Sequence, residues 1–152
     1  CENNGYAMGT SIERELSDVD LLTLAESYRI PAASADGMDV LAVRGAAEVA
    51  LDWVRSGKGP VLLEMKTYRY RGHSMSDPAK YRSRDEVQSV RDNSDPIEGC
   101  KAYLAEMGVG EDALKVIEKE IRQIVNESAD FAETSPEPAL PELYTDVLVE
   151  QY

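Results

Sequence analysis

Residues 32–65 read AASADGMDVLAVRGAAEVALDWVRSGKGPVLLEM, and the order of patterns in them sets the fold class. Val61, Leu62, Leu63 and Met65 form a short apolar run, the kind of strand that lies inside a parallel sheet. Ahead of it, Val40, Val43, Ala47, Ala50, Leu51 and Val54 recur at helical spacing, which predicts a helix from about Asp39 to Ser56. Gly57 and Gly59 end that helix and Pro60 starts the next element. On the amino-terminal side, Gly37 supplies a turn after Ala32–Ala35, which can be a strand. Strand, helix and strand with glycine punctuation is a βαβ signature, so residues 1–67 are expected to be α/β.

Working outward, Ser17 and Asp18 offer caps to a helix over Val19–Tyr28, with Leu21, Leu22, Leu24 and Ala25 on one face and Pro31 closing it. The chain opens CENNGYAMGT, with Cys at position 1 and turn residues Asn3, Asn4 and Gly5 at once. That opening reads as a chain cut just after a strand, a fragment or a processed product. Toward the carboxyl terminus the character turns helical. Asp85 and Asp95 are candidate N-caps, with Pro96 at a first helical position, for helices near 85–92 and 95–107. Gly108 and Gly110 interrupt, and a helix is expected over Glu111–Phe131 with Leu114, Ile117, Ile121, Ile124, Val125 and Ala129 on one face. Ser135–Leu143, SPEPALPEL, reads as extended, and Val147–Val149 as a short strand or a segment that packs on a partner.

Directly after the strand Val61–Met65, Thr67–Arg84 reads TYRYRGHSMSDPAKYRSR. It holds five basic residues, Arg69, Arg71, Lys80, Arg82 and Arg84, against the one acid Asp77, a local net of +4 in a chain of net −13. The sole histidine, His73, sits there beside Gly72, Ser74 and Ser76. Cations, an imidazole, hydroxyls and a flexible glycine suit a loop that meets phosphate or carboxylate groups. A solvated connection can share that composition, but in α/β folds ligands meet the loops that follow the carboxyl ends of strands, which is where this one lies.

Composition removes other classes. With 16 Lys+Arg against 29 Asp+Glu the chain is too acidic for a general nucleic-acid binder, which needs cations spread over a face. No apolar run approaches the roughly 20 residues of a membrane span, and no signal peptide is legible, so the sequence reads as soluble and not bound to membrane. Cys1 and Cys100 lack metal-ligand spacing and read as free thiols.

CENNGYAMGTS, DGMDVLAV, SGKGPVLLEMKTYRYRGHSMSDPAKYRSRDEV and SDPI follow one another in an order and spacing that resemble the carboxyl-terminal part of the alpha subunits of thiamine-diphosphate-dependent pyruvate dehydrogenases. The likeness covers essentially the whole chain. It implies a parallel-sheet thiamine-diphosphate-binding fold, with residues 1–84 as the carboxyl-terminal half of that α/β domain and residues 85–152 as a helical extension and tail. The implied activity is oxidative decarboxylation of pyruvate with transfer of the acetyl unit to lipoyl groups. Implied partners are a beta subunit, which carries the cofactor's activating glutamate in an α2β2 heterotetramer, and the lipoyl domain of the acyltransferase component. An isolated alpha fragment is then expected to be catalytically silent.

By the same resemblance, the Asn4 side-chain oxygen and the Tyr6 carbonyl would ligate Mg²⁺, with a carboxylate from a GDG segment that these residues do not include. His73 matches the loop histidine that touches the cofactor diphosphate and helps order the active site. Arg69, Asp77, Tyr81 and Arg82 match residues that hold the loop and receive the lipoyl domain, with Asp77 pairing Arg82 or Arg69, and the loop is expected to order when cofactor is bound. Ser74 and Ser11 match positions phosphorylated by a dedicated kinase in mitochondrial members. Here DPAKYR is one residue shorter than the mitochondrial pattern and lacks the serine before the tyrosine, which points to a bacterial-type cytoplasmic protein; a eukaryotic one would sit in the mitochondrial matrix. The alpha subunits of branched-chain 2-oxo acid and acetoin dehydrogenases are alternatives. So is a noncatalytic module that binds an acidic or lipoylated partner through the basic loop.

Overall fold

The computed structural model describes residues 1–17 and 20–146 and forms two units, Cys1–Met107 and Gly108–Tyr152. The first unit runs Glu2–Asn3 (β1), Tyr6–Ala7 (β2), Thr10–Ser11 (β3), Ile12–Glu15 (α1), Leu21–Ser27 (α2), Ala32–Asp36 (β4), Val40–Arg55 (α3), Leu62–Lys66 (β5), Arg84–Ser94 (α4) and Pro96–Glu106 (α5). β1, β5 and β4 make a parallel sheet in that order, while β2 and β3 pair as an antiparallel hairpin. The fold is α/β with a parallel sheet, as the alternation of patterns requires.

β5 sits in the centre because it is the most apolar strand and is paired on both sides. Its register runs from Ala32↔Leu62 to Asp36↔Lys66 on one flank, with Glu2↔Met65 and Asn3↔Lys66 on the other. Pairing begins where the Leu62 amide donates to the Pro31 carbonyl at 2.9 Å, so the strand starts one residue after Val61. α3 starts where the sequence places it. The Asp39 carboxylate accepts from the amides of Leu41 and Ala42 at 2.8 and 3.2 Å, closing two of the open N–H groups of the first turn.

Three boundaries differ from the sequence reading. α2 is capped by Asp20, which accepts from the Leu22 amide at 3.0 Å and the Thr23 hydroxyl at 3.0 Å, and not by Ser17; Asp18 and Val19 lie outside the described residues. It stops at Ser27, ahead of Arg29 at φ 58°, before Pro31 can act. α4 is capped by Ser83, whose hydroxyl accepts from the Glu86 amide at 3.1 Å, so Asp85 falls inside the first turn. The signal was the S-x-x-E spacing of Ser83 and Glu86. Asp95 caps α5 as expected, accepting from Ile97 and Glu98 with Pro96 at the first position.

The second unit is the helix Glu111–Thr134 (α6), slightly longer than the predicted span, followed by an irregular segment and a 3-10 turn over Leu140–Tyr144 where extended chain was expected. Val147–Val149 falls outside the described residues. Among the described residues, Ala25 is the one hydrophobic residue that is buried, and no helix is long and apolar enough to cross a membrane.

Candidate functional site

The carboxyl ends of the three parallel strands converge on one edge of the first unit. β1 runs out into Asn4 and Gly5, β4 into Gly37 and Met38, and β5 into Thr67–Tyr70. Gly37 brings two of these ends together: its amide donates to the Lys66 carbonyl at 2.8 Å, and a β-carbon on it would collide with the Thr67 side chain. A cleft of about 290 Å³ opens there, with Asn4, Met38, Thr67, Tyr68, Arg69 and Tyr70 on its walls.

Asn3 and Asn4 have different jobs. The Asn3 amide donates to Glu64 at 2.6 Å, and its oxygen accepts from the Gly5 amide at 3.1 Å, so this side chain ties the turn to the middle of β5. Glu64 is 4% exposed, a buried carboxylate that sequence reading passed over because it sits inside an apolar run. Asn4 lines the cleft, and its side-chain oxygen accepts a long 3.3 Å bond from the Tyr6 amide. That carbonyl keeps a lone pair for another electrophile.

The basic loop is organised around Arg82, which is 8% exposed. Its guanidinium donates to the carbonyl of Arg69 and, at 3.3 Å, to that of Asn4. It lies over the rings of Tyr6, Tyr68 and Tyr81, with the carbon 4.6, 5.0 and 5.4 Å from their centroids. Three tyrosine faces supply the negative potential that a cation removed from water requires. Arg82 thus joins the loop to the β1 end of the cleft. Burial is the first cause that raises the Tyr68 hydroxyl to a pKa of about 12, and its hydrogen bond to Glu86 is the second.

Asp77 is the other fixed point. Its carboxylate accepts from the Tyr81 hydroxyl at 2.7 Å, the His73 amide at 2.8 Å and the Ala79 amide at 2.9 Å. Those donors, the tyrosine first, hold its pKa down to about 2. The expected pairing of Asp77 with Arg82 or Arg69 is replaced by these three bonds, while Arg82 donates to backbone carbonyls and Arg69 faces His73. Gly72 permits the tight curl, since a β-carbon there would strike the carbonyl and carboxylate of Asp77.

Arg69 lines the cleft and its Nη1 stands 3.1 Å from His73 Nδ1. An arginine can only donate, so this contact makes Nδ1 the acceptor and leaves the proton of a neutral imidazole on Nε2. His73 is exposed and reaches the cleft through Arg69. Asn4, Tyr6, Arg69, Tyr81 and Arg82 therefore form one connected group, with Asp77 and His73 attached to it. Ser74 is exposed at the loop tip, 3.0 Å from the Ser76 hydroxyl, and Ser11 meets the group through the backbone, as the cross-strand partner of Tyr6 in the β2–β3 hairpin.

The donor set fits thiamine diphosphate and its metal in part. Arg69 and a neutral N–H on His73 suit an anionic diphosphate, and the Asn4 oxygen suits a hard cation. Among the described residues no cluster of three or more His, Cys, Asp or Glu is placed to hold a metal.

Comparison with known proteins gives this geometry a family. Residues 1–141 match the model of the dehydrogenase E1 component. The chain is 58% identical over 151 residues to the pyruvate dehydrogenase E1 component subunit alpha of Zymomonas mobilis, covering 99% of this chain and 43% of that protein. It is 58% identical over 149 residues to the same subunit of Rhizobium meliloti, covering 97% and 43%. To the somatic, mitochondrial form of Bos taurus it is 47% identical over 145 residues, covering 94% and 37%. The chain thus spans less than half the length of these relatives. Because the match runs through the oxygen turn, the parallel strands and the whole basic loop, the chain belongs to the dehydrogenase E1 component family, whose cofactor is thiamine diphosphate.

Proposed function

We propose that this chain is part of the alpha subunit of a pyruvate dehydrogenase, which decarboxylates pyruvate oxidatively and passes the acetyl unit to a lipoyl group. The carrying observation is the identity of 58% over 151 residues, 99% of this chain. Thiamine diphosphate, when bound, supplies the electron sink that lets carbon dioxide leave the 2-oxo acid. This chain's contribution is to bind and to orient. The Asn4 side-chain oxygen and the Tyr6 carbonyl are assigned to Mg²⁺, with the remaining carboxylate from outside these residues. Arg69 and His73 Nε2–H would hold the diphosphate, and Asp77, Tyr81 and Arg82 would hold the loop that receives the lipoyl domain.

The beta subunit is the assigned partner in a heterotetramer, and the acyltransferase component's lipoyl domain the acyl acceptor. The shortened DPAKYR segment and the bacterial relatives support a cytoplasmic, bacterial-type protein. Ser74 and Ser11 stay outside the proposed chemistry, since the kinase pattern of mitochondrial members is broken in the same loop.

The test uses the full-length alpha subunit assembled with its beta partner. Calorimetry should show thiamine diphosphate binding that depends on Mg²⁺, and His73→Ala should lower pyruvate turnover by about 10²-fold or more. An assembly that binds no cofactor sinks the reading. Unchanged turnover in His73→Ala removes the role of that residue alone.

A further inference from the structure

Tyr70 lines two clefts. One is the cleft described above; the other, of about 540 Å³, opens between the segment Pro78–Lys80 and one face of α4. Arg84, Val87, Gln88 and Arg91 stand at helical spacing on that face, and Ser83, which caps the helix through the Glu86 amide at 3.1 Å, lies at its start. Four cations, Lys80, Arg82, Arg84 and Arg91, line this second cleft. Among the described residues no acid lines it, although the chain as a whole has a net charge of −13.

The chain leaves much of this positive charge unmatched. Lys80 and Arg84 are exposed and take part in none of the ion pairs among the described residues. Arg91 lies over the Tyr70 ring, 4.8 Å from its centroid, a contact with a ring face that leaves its N–H donors available. Asp95, the acid that feels its charge, already accepts from the Tyr70 hydroxyl and the amides of Ile97 and Glu98. Arg82, 8% exposed, forms the innermost part of the lining. Its terminal nitrogens donate to the carbonyls of Arg69 and Asn4, but its Nε is buried with no partner among the described residues. A buried donor left unmade is costly, and it points to an acceptor that these residues do not supply.

We propose that this second cleft is a binding site for a small phosphate-bearing anion, separate from the cofactor cleft and held by Lys80, Arg84 and Arg91 with Arg82 at its base. Guanidinium groups match the oxygens of a phosphate with paired N–H donors, and the amino-terminal end of α4 adds the positive end of its dipole. At about 540 Å³ the cleft falls in the size range of small-molecule sites, so the phosphate would be carried on a metabolite-sized ester. A concave lining that ends on a buried arginine suits such a ligand, whereas a docking macromolecule would meet the exposed cations alone. The site stands independently of the cofactor assignment.

The test titrates inorganic phosphate into the full-length alpha and beta assembly by calorimetry at constant ionic strength, after thiamine diphosphate and Mg²⁺ have saturated the cofactor cleft. Phosphate should bind saturably, and Lys80→Ala and Arg84→Ala should each weaken it about tenfold. Both side chains are exposed, so their removal leaves the fold in place. Lys119→Ala, which takes a cation from α6, should leave the affinity unchanged. Non-saturable uptake, an equal loss in Lys119→Ala, or full affinity in both cleft variants overturns the site. Phosphate binding that disappears once thiamine diphosphate is present belongs to the cofactor cleft; it overturns this site and leaves the functional reading intact. An assembly that takes up phosphate through Lys80 and Arg84 but binds no cofactor supports the site and sinks the functional reading.

Discussion

Asp77 shows how one carboxylate can organise a loop without an ion pair. It is a short side chain with three donors converging on it, which favours the ionised form and holds its pKa at about 2 against an ordinary 3.8. The sign follows from linkage. A depressed folded pKa means that the contribution to loop order is complete above 3.8 and is lost as the pH falls toward about 2. Tyr68 bounds the alkaline side: its pKa is raised from 10.0 to about 12, so its contribution is complete below 10.0 and is lost across that interval as the pH rises. Titration of the Asp77 carboxyl carbon by NMR in the assembled protein should give a midpoint near 2, and one near 3.8 would show that the three bonds are not kept in solution. At this scale sequence reading went only part of the way. The motif GHSMSDP singled out His73, and opposite charge made Arg82 or Arg69 the expected partner of Asp77. Which donor reaches a carboxylate is decided by how the backbone curls at Gly72 and Ala79, and no composition argument contains that.

At the scale of elements, α3 illustrates what a sequence can carry unaided. Its apolar spacing, its Asp39 cap and its glycine stop are all local, and the helix forms at Val40–Arg55 within a residue of the predicted ends. Asp39→Ala should cost about 1 kcal/mol, seen as a lower urea midpoint with an unchanged slope, and Asp39→Ser should recover most of it. An unchanged midpoint in the alanine variant would mean that water serves the first-turn amides as well as the carboxylate does. β5 was legible for the same reason, as a short apolar run, and the parallel sheet followed from alternation with helices. The hairpin β2–β3 was not legible. Its strands are two residues each and carry no alternation, and its turn uses Met8 at φ 54°, a residue type that gives no turn signal. The cleft was legible as a position, at the carboxyl ends of strands, but not as a shape, because Tyr68, Tyr70 and Glu86 become site residues only through long-range contact.

For the molecule as a whole, the main fact is how little apolar surface the described residues cover. Leu24 is 56% exposed, Val49 74% and Val54 48%, although each lies on a helix that flanks the sheet. The sequence is 43% hydrophobic, so the surface exists to be buried, and under the proposed function the remainder of an alpha subunit and its partner would cover it. The isolated chain should therefore bind a hydrophobic dye such as ANS strongly, and that fluorescence should fall on assembly; a dye-silent chain would show that it covers these faces itself. The sheet itself adds a further consequence. Among the described strands nothing pairs with the outer side of β1 or of β4, so main-chain donors and acceptors stand in a row along both margins. A ribbon open at either border can recruit foreign strands at each, and growth in two directions makes fibrils where a single open border would stop at a dimer. Expressed apart from its companions, this polypeptide would owe its solubility to its surplus of negative charge, and high salt, by screening that repulsion, would be the condition under which it precipitates.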